Sequence, residues 1–426
     1  MSGIQKGLIS ILTVIVSLSV SARAARSFAL YPRQPRWHDS DIPLKYYITQ
    51  DVPDWGVQPI INAFDTWTGV AGSYVSYERT FNASDANITI KWGPIDGPSN
   101  DLARTNTPAP EGDGEVRRIR SKDSWIKFDS AEEWDTSGSP DPGEVDVETV
   151  ALHEVGHTIT LYHSSDPTAV MYIPYDGVQR ALAQDDKDRA IFIYPEDVQQ
   201  AVNIAYDYSK GKVIISKAYS QDVSMKGEVS LIGSSIVGTG GVINGTVSFK
   251  NLGASTTRRL KRVKVTPGGF NLAVDIYNSF VTIEDVTATA YAGIKLSYSS
   301  PVIKHSRLSN CSSGIYAYYS DPKLQDNAKN QFDHNDWGIC ATEHSEPNLQ
   351  NGHNDFEDPG PPEGYDISAT PLTKRWEKSS SCIRILLLLQ RNTPAQSWAG
   401  LPWSWGSSSF WTADSSTGPL PEQRRS

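Results

Sequence analysis

Cysteine is scarce: the chain of 426 residues has three, Cys311, Cys340 and Cys382. That is too few for a disulfide framework. Cys311 and Cys340 suit one bridge, which leaves the third over. Positive charge is in deficit, with 39 lysines and arginines against 49 aspartates and glutamates and a net charge of −10, which argues against a nucleic-acid partner. Long apolar runs are missing beyond the first two dozen residues, and Leu386 to Leu389 is too short to span a membrane. Asn106 to Gly114 and Asp135 to Gly143 are acidic, Pro/Gly-containing loops of a kind that can take calcium, but no calcium-loop motif is present in either, so they read as solvated loops. Histidine is the sharpest case. Of eight histidines, none lies between His38 and His153, and three then fall together before the next at His305.

Those three sit in Val147 to His163. Val147, Val150 and Ala151 have helical apolar spacing, and Glu148 is a good helix former. On that helix His153 and His157 are four residues apart, so their imidazoles project from one face, one turn apart. Two neutral imidazoles so placed suit a divalent metal, with zinc the default for such ligands. Glu154 can reach a metal-bound water as general base rather than as a ligand. A continuing helix cannot bring His163 back to the same metal, so the chain must turn after about Thr160. Three histidines leave a fourth position open, the arrangement of a catalytic site with one zinc ion.

His153, Glu154, His157 and His163, followed by Met171 in Ser164 to Tyr172, match the metzincin pattern H-E-x-x-H-x-x-G-x-x-H with its Met-turn. The stretch resembles the matrixin form, in which a serine follows the third ligand and Asp-Pro precedes Met-Tyr. Leu182 to Tyr194 is similar to the matrixin C-terminal helix, with paired aspartates and a closing Ile-Tyr. Ile126 to Asp129 and Trp134 resemble the strand and loop that lead into the active-site helix. The resemblance covers roughly Trp37 to Pro195 and implies a secreted zinc endopeptidase acting on protein or peptide substrates. It also implies roles for further residues. Met171 would pack beneath the histidines without ligating. Leu102 and Ala103 would belong to the sheet edge that pairs with extended substrate. Pro174 and Tyr175 would line the pocket for the residue after the scissile bond. Three departures stand out. The family glycine is Thr160, at a turn where a positive φ is usual and a β-branched residue fits badly. No histidines are available for a second, structural zinc. The pro-segment cysteine that caps the zinc has no counterpart, which excludes a cysteine switch.

The organisation along the chain follows. Residues 1–24 read as a secretory signal, with Lys6, the apolar stretch Leu8 to Val20 and the small-x-small site Ala22 to Ala24, leaving no membrane span after its removal. Residues 25–36 form a short basic segment. Residues 37–197 are expected to be an α+β metzincin domain, a twisted mixed sheet with the zinc helix. Leu44 to Ile48, Val75 to Phe81 and Ile88 to Trp92 read as strands, and Val57, Ile60, Ile61, Phe64 and Trp67 as the apolar face of a helix. Sequons at Asn82, Asn87, Asn244 and Asn310 fit an exported chain, if the host glycosylates.

After Pro195 short β-rich runs alternate with glycine, serine and asparagine, and no long helical pattern is evident. Gly293-Ile294, Gly314-Ile315 and Gly338-Ile339 mark a repeat. Each is followed by Ser299-Ser300-Pro301, Ser320-Asp321-Pro322 or Ser345-Glu346-Pro347, then by Ile303, Leu324 or Leu349; Ala273 to Ile283 is an earlier, proline-free copy. Such a period implies an all-β coil array over 198–358, resembling a right-handed parallel β-helix. Asp333, Asp336, Asp355, His334 and His353 show no common register and read as solvated turn residues. Tyr316, Tyr318 and Tyr319 offer a face for a polysaccharide or cell-surface ligand. Residues 359–426 are a linker and a tail with no assignable fold. Besides the endopeptidase, two functions are compatible with the sequence: a non-catalytic adhesion or envelope protein that keeps the metal structurally, favoured only by Thr160, and a β-helix carbohydrate-active enzyme.

Overall fold

The computed structural model describes residues 34–106, 117–119, 124–238 and 240–356, and the backbone of two further strands, Leu372–Lys378 and Ile383–Leu389. The expected signal segment, most of the Asn106 to Gly114 loop and the tryptophan-rich end lie outside the described residues.

The N-terminal unit is built on five strands: β1 (Leu44–Ile48), β2 (Tyr77–Arg79), β3 (Ile88–Gly93), β4 (Ala103–Asn106) and β5 (Ser124–Asp129). Their order is β2-β1-β3-β5-β4, with only β4 antiparallel, pairing Ala103 with Phe128 at the sheet edge. Helix α1 (Asp54–Thr68) buries Ile60, Phe64 and Trp67 against this sheet, and Phe64 stacks on Tyr46 of β1 with ring centroids 3.8 Å apart. Helix α2 (Val147–Thr158) lies beside α1, and the Trp67 indole N–H donates to the Leu152 carbonyl at 2.8 Å. An aromatic N–H spent on a helix carbonyl fixes the height of one helix against the other, which apolar packing alone does not. Helix α3 (Gln184–Ile193) closes the unit.

A further helix, α4 (Val198–Asp207), follows at once and departs from the all-β expectation for this stretch. Its signal was present: Asp197 caps it, and Val198, Ala201, Val202 and Ala205 recur at helical spacing and are buried. The first strand of the array starts only at Lys212.

From Lys212 to Phe356 strands stack into three all-parallel sheets of five, seven and six strands, each strand pairing with the one three positions on until the last coils, where the five-stranded sheet continues only as isolated bridges from Val302 to Lys323 and from Lys323 to Asn348. One full circuit therefore adds one strand to every sheet, and the last coils add strands to only two. The repeat marks fall in register: Val274 opposes Ile294, Ile294 opposes Ile315, and Ile315 opposes Ile339. The preceding glycines have a steric cause, since a Cβ on Gly293 or Gly314 would lie 2.6 Å from the carbonyl oxygen of the next coil's glycine. The serine marks form a ladder. The Ser279 N–H donates to Ser299 Oγ at 3.1 Å, Ser299 N–H to Ser320 Oγ at 3.0 Å, and Ser320 N–H to Ser345 Oγ at 3.0 Å. Ile303, Leu324 and Leu349 are buried beneath the prolines.

Four expectations need correction or refinement. Cys340 is disulfide-bonded whereas Cys311 is a buried free thiol, so the bridge suggested between these two does not form. Asp333 is no solvated turn residue: it ends a strand, is buried, and pairs with Arg307 at 2.5 Å. Asp355 is in a strand, though exposed. Leu386 to Leu389, part of the tail left without a fold, lies in a strand of an antiparallel hairpin in which Leu372 opposes Leu389.

The two units share one continuous apolar core. Polar contacts also cross the junction. Asp39 accepts from Tyr74 Oη at 2.8 Å and from Ser216 Oγ at 3.0 Å, and buried Arg36 donates to the Ile214 carbonyl at 3.2 Å. Helix α4 packs on the first coil's strands and closes that end of the array.

Candidate metal centre and cleft

Helix α2 begins where Asp146, fully buried, accepts from the Thr149 N–H at 2.8 Å and from Thr149 Oγ1 at 2.6 Å. Arg180 closes on the same carboxylate through Nε at 3.2 Å, so the cap's charge is matched. Capping sets where the helix starts, and so which face His153 and His157 occupy. The Asp146 N–H donates to Tyr175 Oη at 3.1 Å, tying the chain beyond the Met-turn to the same cap.

Each helical histidine is oriented by a backbone carbonyl. His153 Nδ1–H donates to Val170 O and His157 Nδ1–H to Leu161 O, both at 2.8 Å. A carbonyl can only accept, so each ring must carry its proton on Nδ1 and present a bare Nε2 lone pair. The two Nε2 atoms then face each other at 3.1 Å. Two lone pairs at that distance repel unless a cation lies between them. His163 completes the group, with one ring nitrogen from each of the three histidines within 4.8 Å of the others. Burial pushes His157 down to about 3, helped by the nearby His153, and burial also lowers His163. Neutral imidazoles are the form a metal needs. The donor set therefore fits zinc on its own geometry.

The third histidine depends on Thr160. The helix ends at Thr158, and Thr160 has φ +67° while its hydroxyl donates to Pro35 O at 2.7 Å. The left-handed turn expected of the family glycine is thus made by threonine, with a hydrogen bond to the N-terminal segment offsetting part of the strain. His163 reaches the other two histidines with this turn in place.

Met171 is fully buried under α2. Gly156 makes room for it: a Cβ there would collide with Met171 Sδ and approach Trp67 to 3.0 Å. Asp186 holds the turn, accepting from the Val170 N–H at 2.8 Å, Met171 N–H at 3.2 Å and Ala183 N–H at 2.9 Å.

Glu154 is 7% exposed, and burial raises its carboxyl above the usual range. Thr105 Oγ1 on β4 lies 2.6 Å from Glu154 Oε2 and 3.1 Å from the Glu154 carbonyl oxygen. This partnership spans 49 residues and was invisible in the sequence, which singled out only Leu102 and Ala103 on this edge. Leu102, Ala103, Pro174 and Tyr175 all line one cleft of about 990 Å³ with Glu154 and the three histidines. The cleft runs along β4, the sheet's antiparallel edge. The loop from Asp135 to Gly143 shows no cation cradle: Asp135 Oδ1 is taken up by Ser137 N–H at 2.9 Å, Ser137 Oγ at 2.8 Å and Gly138 N–H at 3.2 Å.

Comparison with known proteins agrees with this geometry. Residues 36–195 match the family model described as matrixin. The chain is 32% identical over 177 residues to Metalloendoproteinase 1 of Glycine max, covering 38% of this chain and 53% of that protein. It is 32% identical over 155 residues to Karilysin of Tannerella forsythia, covering 34% and 30%. It is 32% identical over 171 residues to Matrilysin of Rattus norvegicus, covering 37% and 58%. The chain thus spans between 30% and 58% of the length of these curated relatives.

Proposed function

We propose that this chain, whose residues 36–195 form a matrixin-like metzincin domain, is a zinc-dependent endopeptidase acting on protein or peptide substrates. The observation that carries the reading is the convergence of three imidazole nitrogens, two of them bare, beside a buried carboxylate in a cleft that runs along the edge strand of the sheet.

His153, His157 and His163 would hold the ion. Zinc in a three-histidine site supplies Lewis-acid polarisation of a carbonyl and acidifies a water. The rest is the work of this chain's residues. The edge of β4 aligns an extended substrate by main-chain hydrogen bonds, with Leu102 and Ala103 at its start and Pro174 and Tyr175 across the cleft. Glu154 accepts a proton from the attacking water on its carboxylate and returns it to the leaving amine. Burial raises its carboxyl above the usual range, the direction that suits a group that must both take and give a proton. Thr105 keeps Oε2 from swinging away.

The C-terminal array, residues 198–358 with α4 as its first element, is read as a right-handed parallel β-helix with a spacing role. A polysaccharide-binding face has weaker support. Of Tyr316, Tyr318 and Tyr319 only Tyr319 is exposed, and one face of its ring is stacked on Tyr298 with centroids 5.3 Å apart and planes 9° apart. Exposed side chains at the sequons Asn82, Asn244 and Asn310 fit export, and among the described residues no helix is long and apolar enough to cross a membrane. The test of the main reading is cleavage of a denatured protein by the metal-loaded chain. Activity should vanish on chelation and return with added zinc. Cleavage that persists in the chelated, zinc-free chain would refute it.

A further inference from the structure

The three histidines are not held in the same way. His153 and His157 each spend Nδ1 on a backbone carbonyl at 2.8 Å. His163 stands outside the helix, on the far side of the Thr160 turn, and is half-buried. What fixes its position is the backbone on either side of it. On the N-terminal side, Arg189 Nη1 donates to the Tyr162 carbonyl at 2.7 Å. On the C-terminal side, Ser164 Oγ donates to Asp185 Oδ2 at 2.7 Å, and the Ser164 N–H donates to Met171 O at 2.7 Å. Asp185 and Arg189 are one turn apart on α3 and are joined by an ion pair at 2.8 Å, with side chains 8% and 0% exposed.

These contacts close a ring: Tyr162, His163 and Ser164 on one side, Asp185 and Arg189 on the other. We propose that Arg189, acting with Asp185, is a positioning residue for the third metal ligand, clamping the backbone that carries His163 to helix α3. The physical case rests on burial. A guanidinium withdrawn from water needs its charge matched, and here Asp185 Oδ2 lies 2.8 Å from Nη2 while Nη1 is directed to a carbonyl adjacent to the ligand. Planar, forked geometry lets one side chain bridge a carboxylate and a carbonyl; a lysine ammonium on a flexible stem cannot fix both directions. The carbonyl of Tyr162 sets the orientation of the peptide leading into His163, so its release frees the ligand to leave the position where its nitrogen meets the other two.

The inference rests on the reading of the histidines as a zinc site, and the test separates the two. Zinc affinity of the full chain is measured by chelator competition for the native protein, Arg189→Met, His163→Ala and the double variant. Outer partners of metal ligands typically contribute about 10–100-fold in affinity. Arg189→Met should weaken zinc by that order, His163→Ala should weaken it more, and Arg189→Met should cost nothing further in the His163→Ala background. Equal losses in both backgrounds, or no loss in either, would overturn the clamp. Absence of zinc binding by the native chain would instead remove the metal reading itself. Should Arg189→Met fail to fold, Ser164→Ala removes the other arm with one hydroxyl. It should weaken zinc in the native background and not in the His163→Ala background; the reverse outcome again counts against the clamp.

Discussion

The two halves of the molecule solve the same problem, fixing a backbone in place, by opposite means. In the coil array one device is repeated: a serine hydroxyl accepts the N–H of the serine one coil before, from Ser279 through Ser299 and Ser320 to Ser345. In the N-terminal unit every device is used once. Asp146 caps α2, Trp67 anchors it to α1, Thr160 turns the chain, and Asp186 gathers three N–H groups of the Met-turn region and the start of α3. Repetition builds length and spreads stability over equivalent neighbours. Single-use contacts build one place where three nitrogens and a carboxylate meet.

The contrast also governs what the sequence discloses. Repeated devices leave periodic marks, so Gly-Ile and Ser-x-Pro were readable before their cause, stacked carbonyls and the serine ladder, was known. The helix of the histidine group was readable because His153 and His157 are four apart on one element. The site's supports were not, because they join distant residues: Thr105 with Glu154, Arg189 with Tyr162, Trp37 with Thr158. Thr160 shows the limit most clearly. The sequence said that a β-branched residue sits where glycine belongs; only the contact with Pro35 shows how it is tolerated. Helix α4 was missed although its spacing was legible, because the surrounding β-rich texture set the expectation. The pairing state of Cys340 had no local signal.

Removing the metal by chelation should abolish peptidase activity while the coil array keeps its circular-dichroism β signal, since no array residue among those described belongs to the histidine group. In the array, Ile315→Ala should destabilise by about 2–5 kcal/mol, the range for a fully buried large-to-small change, read as a lower urea midpoint with zinc stoichiometry unchanged. In the N-terminal unit, Gly156→Ala should cost about 1–3 kcal/mol from overpacking against Met171 and Trp67, and unlike the array change it should also lower zinc affinity. Thr160→Gly should move stability by under about 1 kcal/mol, because relief of the left-handed strain is set against loss of the hydrogen bond to Pro35. A thermal melt shifted by more than ten degrees in either direction would show that this balance is misjudged.

The most direct measurement is cleavage of a denatured protein, with zinc content determined in parallel, for the native chain and Glu154→Gln. The account predicts stoichiometric zinc in both and a fall in rate of about 10²–10⁴-fold in the variant, the range for a lost general acid–base group. Equal cleavage by the two chains, both loaded with zinc, would contradict it.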